Sequence, residues 1–299
     1  PTPGGGHPVA ASFFGASAIV WASYSTRTDR FATLHRALCA LHSMNMSPAL
    51  QLDRIHVAFG SQTVLRDINL DLPAGSVTAL IGPSASGKSV LLKCAGGLIP
   101  YLQGTLTVLG QNAADGWHDL RPRIGVLFQQ NALFDSMTVA ANIAFPLIRH
   151  GMEQPAAMDR AQELLGQVGL PADAGARPPS ALSGGMQKRV AFARAIAASP
   201  ELLLLDDPTA GLDPVMAASI EQLICHIAHT QNATVLLVTA DPANLAVRAD
   251  RVVILDDGQV CWSGDASALP PVAPPLRGAA GRGGRRPRGC AGRVWGGGG

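Results

Sequence analysis

The stretch Gly82-Pro-Ser-Ala-Ser-Gly-Lys-Ser89 matches the phosphate-binding pattern G-x-x-x-x-G-K-[ST]. The alternative is a glycine-rich turn before an ordinary helix, because a pattern this short also occurs by chance. The flanking residues favour phosphate binding. Residues 77–81 form an apolar run typical of a buried strand, and apolar residues at helical spacing follow from Val90. This order presents backbone N–H groups and a helix N-terminus to phosphate oxygens.

This phosphate loop (residues 82–89) predicts a nucleotide with a bound metal ion. Lys88 is expected to contact the β- and γ-phosphates, and the Ser89 hydroxyl is expected to ligate Mg²⁺. The nucleotide-binding residues predicted in this part of the chain are Gly82, Pro83, Ser84, Ala85, Ser86, Gly87, Lys88, Ser89 and Val90.

Apolar runs separated by turn residues predict alternating strands and helices, hence an α/β fold with a mainly parallel central sheet and an antiparallel β edge. The predicted strands are residues 50–58, 64–72, 77–81, 104–109, 124–128, 202–205, 234–238, 251–256 and 259–263, the last two joined by the hairpin signal Asp257-Gly258. The predicted helices follow the phosphate loop and residues 182–189, and otherwise cover residues 139–149, 157–168, 215–229 and a short segment near Asn244.

Composition limits the range of functions. The net charge of +2 depends on arginines after residue 276, so the body of the chain is slightly acidic and does not predict nucleic-acid binding. Five scattered cysteines without C-x-x-C spacing favour reduced thiols over disulfides or zinc. We expect a disordered or read-through extension over residues 1–47, a folded domain over 48–268, and a low-complexity Pro/Gly/Arg-rich tail over 269–299.

Polar residues after other strands supply the remaining chemistry of a nucleotide site. Asp206 follows an apolar run and could hold Mg²⁺, while Asp207 could orient an attacking water. Gln129 follows another predicted strand and offers an amide near the metal. We therefore predict Asp207, Gln129 and Lys88 as catalytic residues, and Ser89, Gln129 and Asp206 as metal ligands.

A second anion-binding element is predicted where Ser183-Gly184-Gly185 opens a helix. A plain helix cap is the alternative for this tripeptide alone. Because one chain already holds a complete phosphate loop, a second element is best explained if two chains enclose ATP, each supplying one half.

Together these motifs resemble the ATP-binding cassette of ABC transporters over about residues 50–268. Their order is the phosphate loop, Gln129, Leu182-Ser-Gly-Gly185, Leu202-Leu-Leu-Leu-Asp-Asp207 and Ala210-Gly-Leu-Asp-Pro214. The resemblance implies a P-loop ATPase fold, a homodimer bound to integral membrane permease subunits, and ATP with Mg²⁺ as cofactors. It also implies that Phe59 stacks on adenine and that Asp213 crosses the dimer interface.

The resemblance further implies a helical subdomain over about residues 131–182, whose groove receives a helix of the permease. Leu133, Phe134, Met137 and Phe145 are candidate groove residues, although core packing explains each one equally well. Within the family, residues 131–146 and Ser183-Gly-Gly-Met186 resemble ATPases of Mla/Mce-type phospholipid transport. This implies a peripheral location at the cytoplasmic face of a Gram-negative inner membrane, with the transported substrate not bound directly.

Three residues depart from the family pattern. Ala85 replaces a glycine, which costs about 1 kcal/mol if the backbone φ is positive there. Asp207 replaces a glutamate and is one methylene shorter. Ala240 replaces a histidine that contacts the γ-phosphate, and alanine cannot form that hydrogen bond. We therefore expect either a transport ATPase or an ATP-binding subunit impaired in hydrolysis. A soluble ABC ATPase acting on ribosomes or DNA is a third alternative.

Overall fold

The computed structural model describes residues 47–239 and 248–269. The predicted N-terminal extension up to residue 46, Ala240, the short helix near Asn244 and the tail from residue 270 lie outside the described residues.

The central sheet contains six strands. They are β3 (Val77–Ile81), β6 (Ile124–Leu127), β7 (Leu202–Asp206), β8 (Thr234–Val238), β9 (Arg251–Asp256) and β10 (Gln259–Asp265). Their order across the sheet is β10-β9-β3-β8-β7-β6. All neighbouring pairs are parallel except β9 and β10, which form an antiparallel hairpin at one edge. Asp257 and Gly258 both have positive φ, as the hairpin signal predicts.

A second, antiparallel sheet has the order β2-β1-β4-β5. Its strands are β1 (Leu50–Phe59), β2 (Gln62–Leu72), β4 (Gln103–Val108) and β5 (Gln111–Asn112). Apolar side chains from the inner face of this sheet, such as Leu52 and Leu106, share a core with β3 and β7. The predicted fold class is therefore confirmed: a mainly parallel sheet accompanied by antiparallel β structure.

Five α-helices occur in the described part of the chain. They are α1 (Lys88–Ala95), α2 (Val139–Arg149), α3 (Gln154–Gln167), α4 (Gly184–Ile196) and α5 (Pro214–Gln231). Within the described ranges, none is long and apolar enough to cross a membrane. The predicted helix over residues 139–149 matches α2 at both ends. Helix α3 instead begins at Gln154 rather than at residue 157, because Pro155 at the second helical position suits a helix start.

The two faces of the central sheet pack against different helices because side chains alternate along each strand. In β7, Leu203 and Leu205 join a core that includes residues of α2, α3, α4 and α5. Leu202 and Leu204 face the other way and pack with α1 and the antiparallel sheet. Helix α1 therefore lies in the core shared by the two sheets, which places the preceding phosphate loop at their junction.

Asn142 holds the segment before α2. Its side chain is fully buried; Oδ1 accepts a hydrogen bond from the Phe134 amide at 2.8 Å, and Nδ2 donates to the carbonyls of Phe134 and Thr138 at 3.0 Å. Thr138 in turn caps α2 by accepting from the Ala141 amide. One buried amide thus replaces regular secondary structure over residues 134–138.

Replacing Asn142 with alanine should lower the free energy of unfolding by about 2–4 kcal/mol, because several buried backbone groups lose their partner. Urea denaturation measures this change. The matched control is Asn112→Ala, which removes one exposed capping bond to the Ala114 amide and should cost about 1 kcal/mol or less. Equal losses for the two variants would contradict the role given to Asn142.

Candidate functional site

The phosphate loop leaves β3 beside the backbone of β9. A Cβ atom at Gly82 would lie 2.0 Å from the Leu255 carbonyl oxygen, so only glycine fits there. Ser86 is buried, and its Oγ has no hydrogen-bond partner among the described residues. A buried hydroxyl without a partner is costly, and the cost is removed if the loop encloses an acceptor such as a phosphate oxygen.

Helix α1 begins directly after the loop. Gly87 is its N-cap and has a φ of 103°, a conformation that L side chains rarely adopt. The first hydrogen bond of the helix runs from the Leu91 amide to the Gly87 carbonyl, at 2.8 Å. The amides of Lys88, Ser89 and Val90 therefore have no partner within the helix and lie at the positive end of its dipole.

The Lys88 ammonium folds back over the loop. Its Nζ donates to the carbonyl oxygens of Gly82 at 2.9 Å and Pro83 at 2.7 Å. Burial lowers the pKa of Lys88, and the nearby Asp206 and Asp207 carboxylates oppose this shift. The structure thus brings the loop lysine and both predicted carboxylates into one electrostatic neighbourhood.

Ala85 has a φ of 62° at the exposed tip of the loop. The left-handed conformation places Cβ close to the following carbonyl and costs alanine about 1–2 kcal/mol. Because φ is positive at Ala85, alanine carries the expected free-energy cost at this position. Its methyl group lies on the exposed part of the loop rather than in the core.

The two carboxylates follow β7. Asp206 is the last residue of that strand and is 3% exposed. Asp207 has a φ of 54°, and its amide donates to the Val238 carbonyl of β8 at 2.9 Å. Burial raises the pKa of the Asp207 carboxyl, while Lys188 and Lys88 act in the opposite direction. Aspartate tolerates a left-handed backbone better than longer side chains do, which gives a physical reason for its presence here.

The predicted residues of one half-site, together with Thr239, follow adjacent strands at the same edge of the sheet. The phosphate loop follows β3, Thr239 follows β8, Asp207 follows β7, and Gln129 follows β6 two residues after its end. The carboxyl ends of parallel strands meet at one edge, where ligands bind in open α/β sheets. Gln129 is exposed there. Ala240, directly after Thr239, lies outside the described residues.

These residues fit ATP and Mg²⁺. The unpartnered Ser86 hydroxyl, the amides at the start of α1 and the Lys88 ammonium supply donors for phosphate oxygens. The Ser89 hydroxyl, the Asp206 carboxylate and the Gln129 side-chain oxygen are the hard oxygen ligands that Mg²⁺ prefers.

The second predicted element starts α4. Ser183 is the N-cap, and its Oγ accepts a hydrogen bond from the Met186 amide at 3.3 Å. Ser183 and Gly184 are exposed, and Gly185 packs against Leu212. Within the described part of the chain, no hydrogen bond or ion pair joins residues 183–185 to the phosphate loop. Ser183 and Gly184 therefore lie on a surface that a second chain could reach.

Phe59 and Asp213 both lie on the surface. Phe59 ends β1 and is 52% exposed, so its ring is accessible for stacking. Asp213 caps α5 by accepting from the Val215 and Met216 amides at 3.1 and 3.0 Å. Both hydrogen bonds are accepted by the same carboxylate oxygen, Oδ1, and both belong to the chain's own helix α5.

Sequence patterns missed two cations on α4. Lys188 donates to the carbonyls of Asp207 and Ala210, and Arg194 donates to those of Asn131 and Ala132 while lying 5.6 Å from the Phe134 ring centroid. Burial lowers the pKa of both side chains. The available signal was spacing: Lys188 lies four residues before the core residue Phe192, on the apolar side of the helix.

Comparisons with known proteins agree with this geometry. A family model described as ABC transporter matches residues 65–210. A probable ribonucleotide transport ATP-binding protein, mkl of Mycobacterium leprae, is 40% identical over 201 residues, covering 66% of this chain and 58% of the relative. The Fe(3+) ions import ATP-binding protein FbpC of Pseudomonas fluorescens is 38% identical over 219 residues, covering 72% and 61%. The chain thus spans about three fifths of these relatives.

Among known structures, the ATP-binding cassette MJ0796, described as a dimer in a post-hydrolysis state bound to ADP and Pi, is 31% identical. The match has a TM-score of 0.69 and covers 74% of this chain and all of MJ0796. Since a full-length cassette is matched in both sequence and fold, this chain belongs to the ATP-binding cassette family of ABC transporters.

Proposed function

We propose that this chain binds and hydrolyses Mg-ATP at a homodimer interface and thereby drives a membrane permease. The observation that carries the proposal is the shared edge of the sheet, where the phosphate loop, Asp206, Asp207 and Gln129 follow the ends of β3, β7 and β6. We assign this work to a cassette over residues 48–268.

Each residue has a defined task in this proposal. The loop amides, Ser86 and Lys88 bind the phosphates, and Ser89, Asp206 and Gln129 ligate the metal. Mg²⁺, when bound, neutralises charge on the phosphates. Asp207 orients the attacking water, and its raised pKa suits a group that accepts a proton. Phe59 stacks on adenine, while Ser183-Gly184-Gly185 of the partner completes the site and Asp213 contributes to the interface.

A hydrolysis-impaired subunit is the second candidate. It is favoured by Asp207, whose carboxylate has a shorter reach than glutamate, and by Ala240, which lacks a hydrogen-bonding side chain. Neither residue belongs to the phosphate loop. Binding and turnover can therefore be separated experimentally.

Steady-state phosphate release distinguishes the two candidates. Wild-type protein should exceed Lys88→Ala, and Asp207→Glu should raise the rate about tenfold or more, because a water-orienting base acts only within hydrogen-bond reach. Asp159→Glu, an equivalent change on the exposed side of α3, should leave the rate unchanged. A wild-type rate no higher than that of Lys88→Ala would reject hydrolysis as the function.

The proposed permease contact is the aromatic patch formed by Phe134 and Phe145. Their ring centroids are 5.0 Å apart, and Phe134 is 41% exposed although it precedes α2 in a segment fixed by Asn142. Met137 is partly exposed nearby in sequence, whereas Leu133 packs against the core. A fixed, exposed apolar patch is typical of an interaction site. Docking there would hold the chain at the cytoplasmic face of the inner membrane.

We propose phospholipid as the cargo, moved by the permease without direct contact with this chain. The support is the resemblance of residues 131–146 and of Ser183-Gly-Gly-Met186 to Mla/Mce-type ATPases. The relatives reported above carry names that specify ribonucleotides and Fe(3+) instead, so transport assays must include all three substrates.

In proteoliposomes containing the permease, ATP should drive transfer of labelled phospholipid. Phe134→Ser should abolish transfer while basal ATPase activity persists, because the docking patch is lost. Leu102→Ser, at a 69% exposed residue before β4, is the matched control and should retain transfer. Movement of ribonucleotides or Fe(3+) in place of lipid would refute the cargo, and full transfer by Phe134→Ser would refute the docking site.

A further inference from the structure

Lys188 is a buried cation that contacts the segment carrying Asp207. Its side chain lies on α4 in a residue that is only 8% exposed. Nζ donates to the carbonyl oxygen of Asp207 at 3.1 Å and to that of Ala210 at 2.7 Å. Burying a lysine ammonium costs free energy, so we expect the hydrogen bonds that it makes to have a role besides packing.

The two acceptors belong to the loop between β7 and α5. The Asp207 backbone is in the left-handed region, and its carbonyl also accepts a hydrogen bond from the Ala210 amide at 3.3 Å. From the other side, the Asp207 amide donates to the Val238 carbonyl. Lys188 therefore holds the peptide group that follows Asp207, while β8 holds the peptide group that precedes it. Fixing both peptide groups restricts the direction of the Asp207 side chain.

The same helix presents Ser183-Gly184-Gly185 at its start, five residues and about one and a half turns before Lys188. A rigid helix transmits a displacement of its first turn to the rest of its length. The peptide that carries Asp207 would then move with the segment that faces the second chain.

We infer that Lys188 is a positioning residue that couples Ser183-Gly184-Gly185, at the partner's nucleotide, to Asp207 at the chain's own nucleotide. This inference rests on the proposed function, in which two chains share two ATP molecules. When the Ser-Gly-Gly segment engages ATP, the Lys188 contact carries the change to the catalytic carboxylate. The two sites of the dimer then respond to each other.

Arg189 provides a matched control. It is adjacent on α4 and also binds two backbone carbonyls, since Nη1 donates to Val168 at 3.3 Å and Gly169 at 2.6 Å. Those carbonyls lie after α3 rather than beside Asp207. Arg189→Met therefore removes a partly buried tether of the same kind and leaves both Lys188 contacts in place.

Lys188→Met should lower kcat about 10- to 100-fold, the size expected when a catalytic group is misplaced by about 1 Å. The KM for ATP should stay within about threefold, because the phosphate loop is unchanged. The Hill coefficient for ATP should fall to one.

Lys188→Arg, which keeps a cationic donor, should recover part of kcat and cooperativity. Arg189→Met should lower the melting temperature, because two hydrogen bonds are lost, but should keep kcat and the Hill coefficient. A Lys188→Met enzyme with unchanged kcat and cooperativity would overturn the inference.

Amide hydrogen exchange gives a readout that does not require turnover. In wild type, Mg-ATP should protect residues 207–213 from exchange, and Lys188→Met should lose this ATP-induced protection. A purely structural tether would instead raise exchange equally with and without ATP, and that outcome would overturn the inference. Phosphate release that does not exceed the Lys88→Ala value would refute only the proposed hydrolysis, because the exchange measurement remains decisive for Lys188.

Discussion

Val238 pairs with Leu80 of β3 on one side and with Asp206 of β7 on the other. This register makes three strands end level, so the phosphate loop, Thr239 and Asp207 leave the sheet at the same edge. A shift of one residue in β7 would turn the side chain of Asp206 to the opposite face and exchange the two leucine rows of the strand. The apolar pattern that fills both cores therefore also determines the relative positions of the nucleotide-binding residues.

Backbone strain concentrates beside this edge. Ala85 and Asp207 both have positive φ, at 62° and 54°. Such conformations persist when surrounding contacts hold them. Lys188 and the Val238 carbonyl do so at Asp207. In this account the phosphate loop keeps its binding groups, and the catalytic rate depends on how well this tethered aspartate reaches water.

Local sequence signals predicted most of the fold. The continuous apolar runs of β7 and β8, the Gly-rich loop before α1 and the Asp257-Gly258 turn each depend on neighbouring residues, and the structure confirms them. The contacts of Asn142, Lys188 and Arg194 could not be predicted in this way. Their partners are backbone carbonyls and amides of loops, some of them distant in sequence. Every residue has a backbone carbonyl, so the residue type does not indicate which carbonyl will accept such a hydrogen bond.

In the proposed composite site, Ser183-Gly184-Gly185 of one chain and the phosphate loop of another supply the two halves, so the site forms only when two chains associate. Sedimentation of Asp207→Asn protein, which should retain ATP during the run, tests this directly. We expect a dimer in Mg-ATP, a monomer in Mg-ADP, and a monomer in Mg-ATP when Ser183→Arg is added. A monomer in Mg-ATP without that second substitution, at a concentration where ATP is bound, would contradict the composite site.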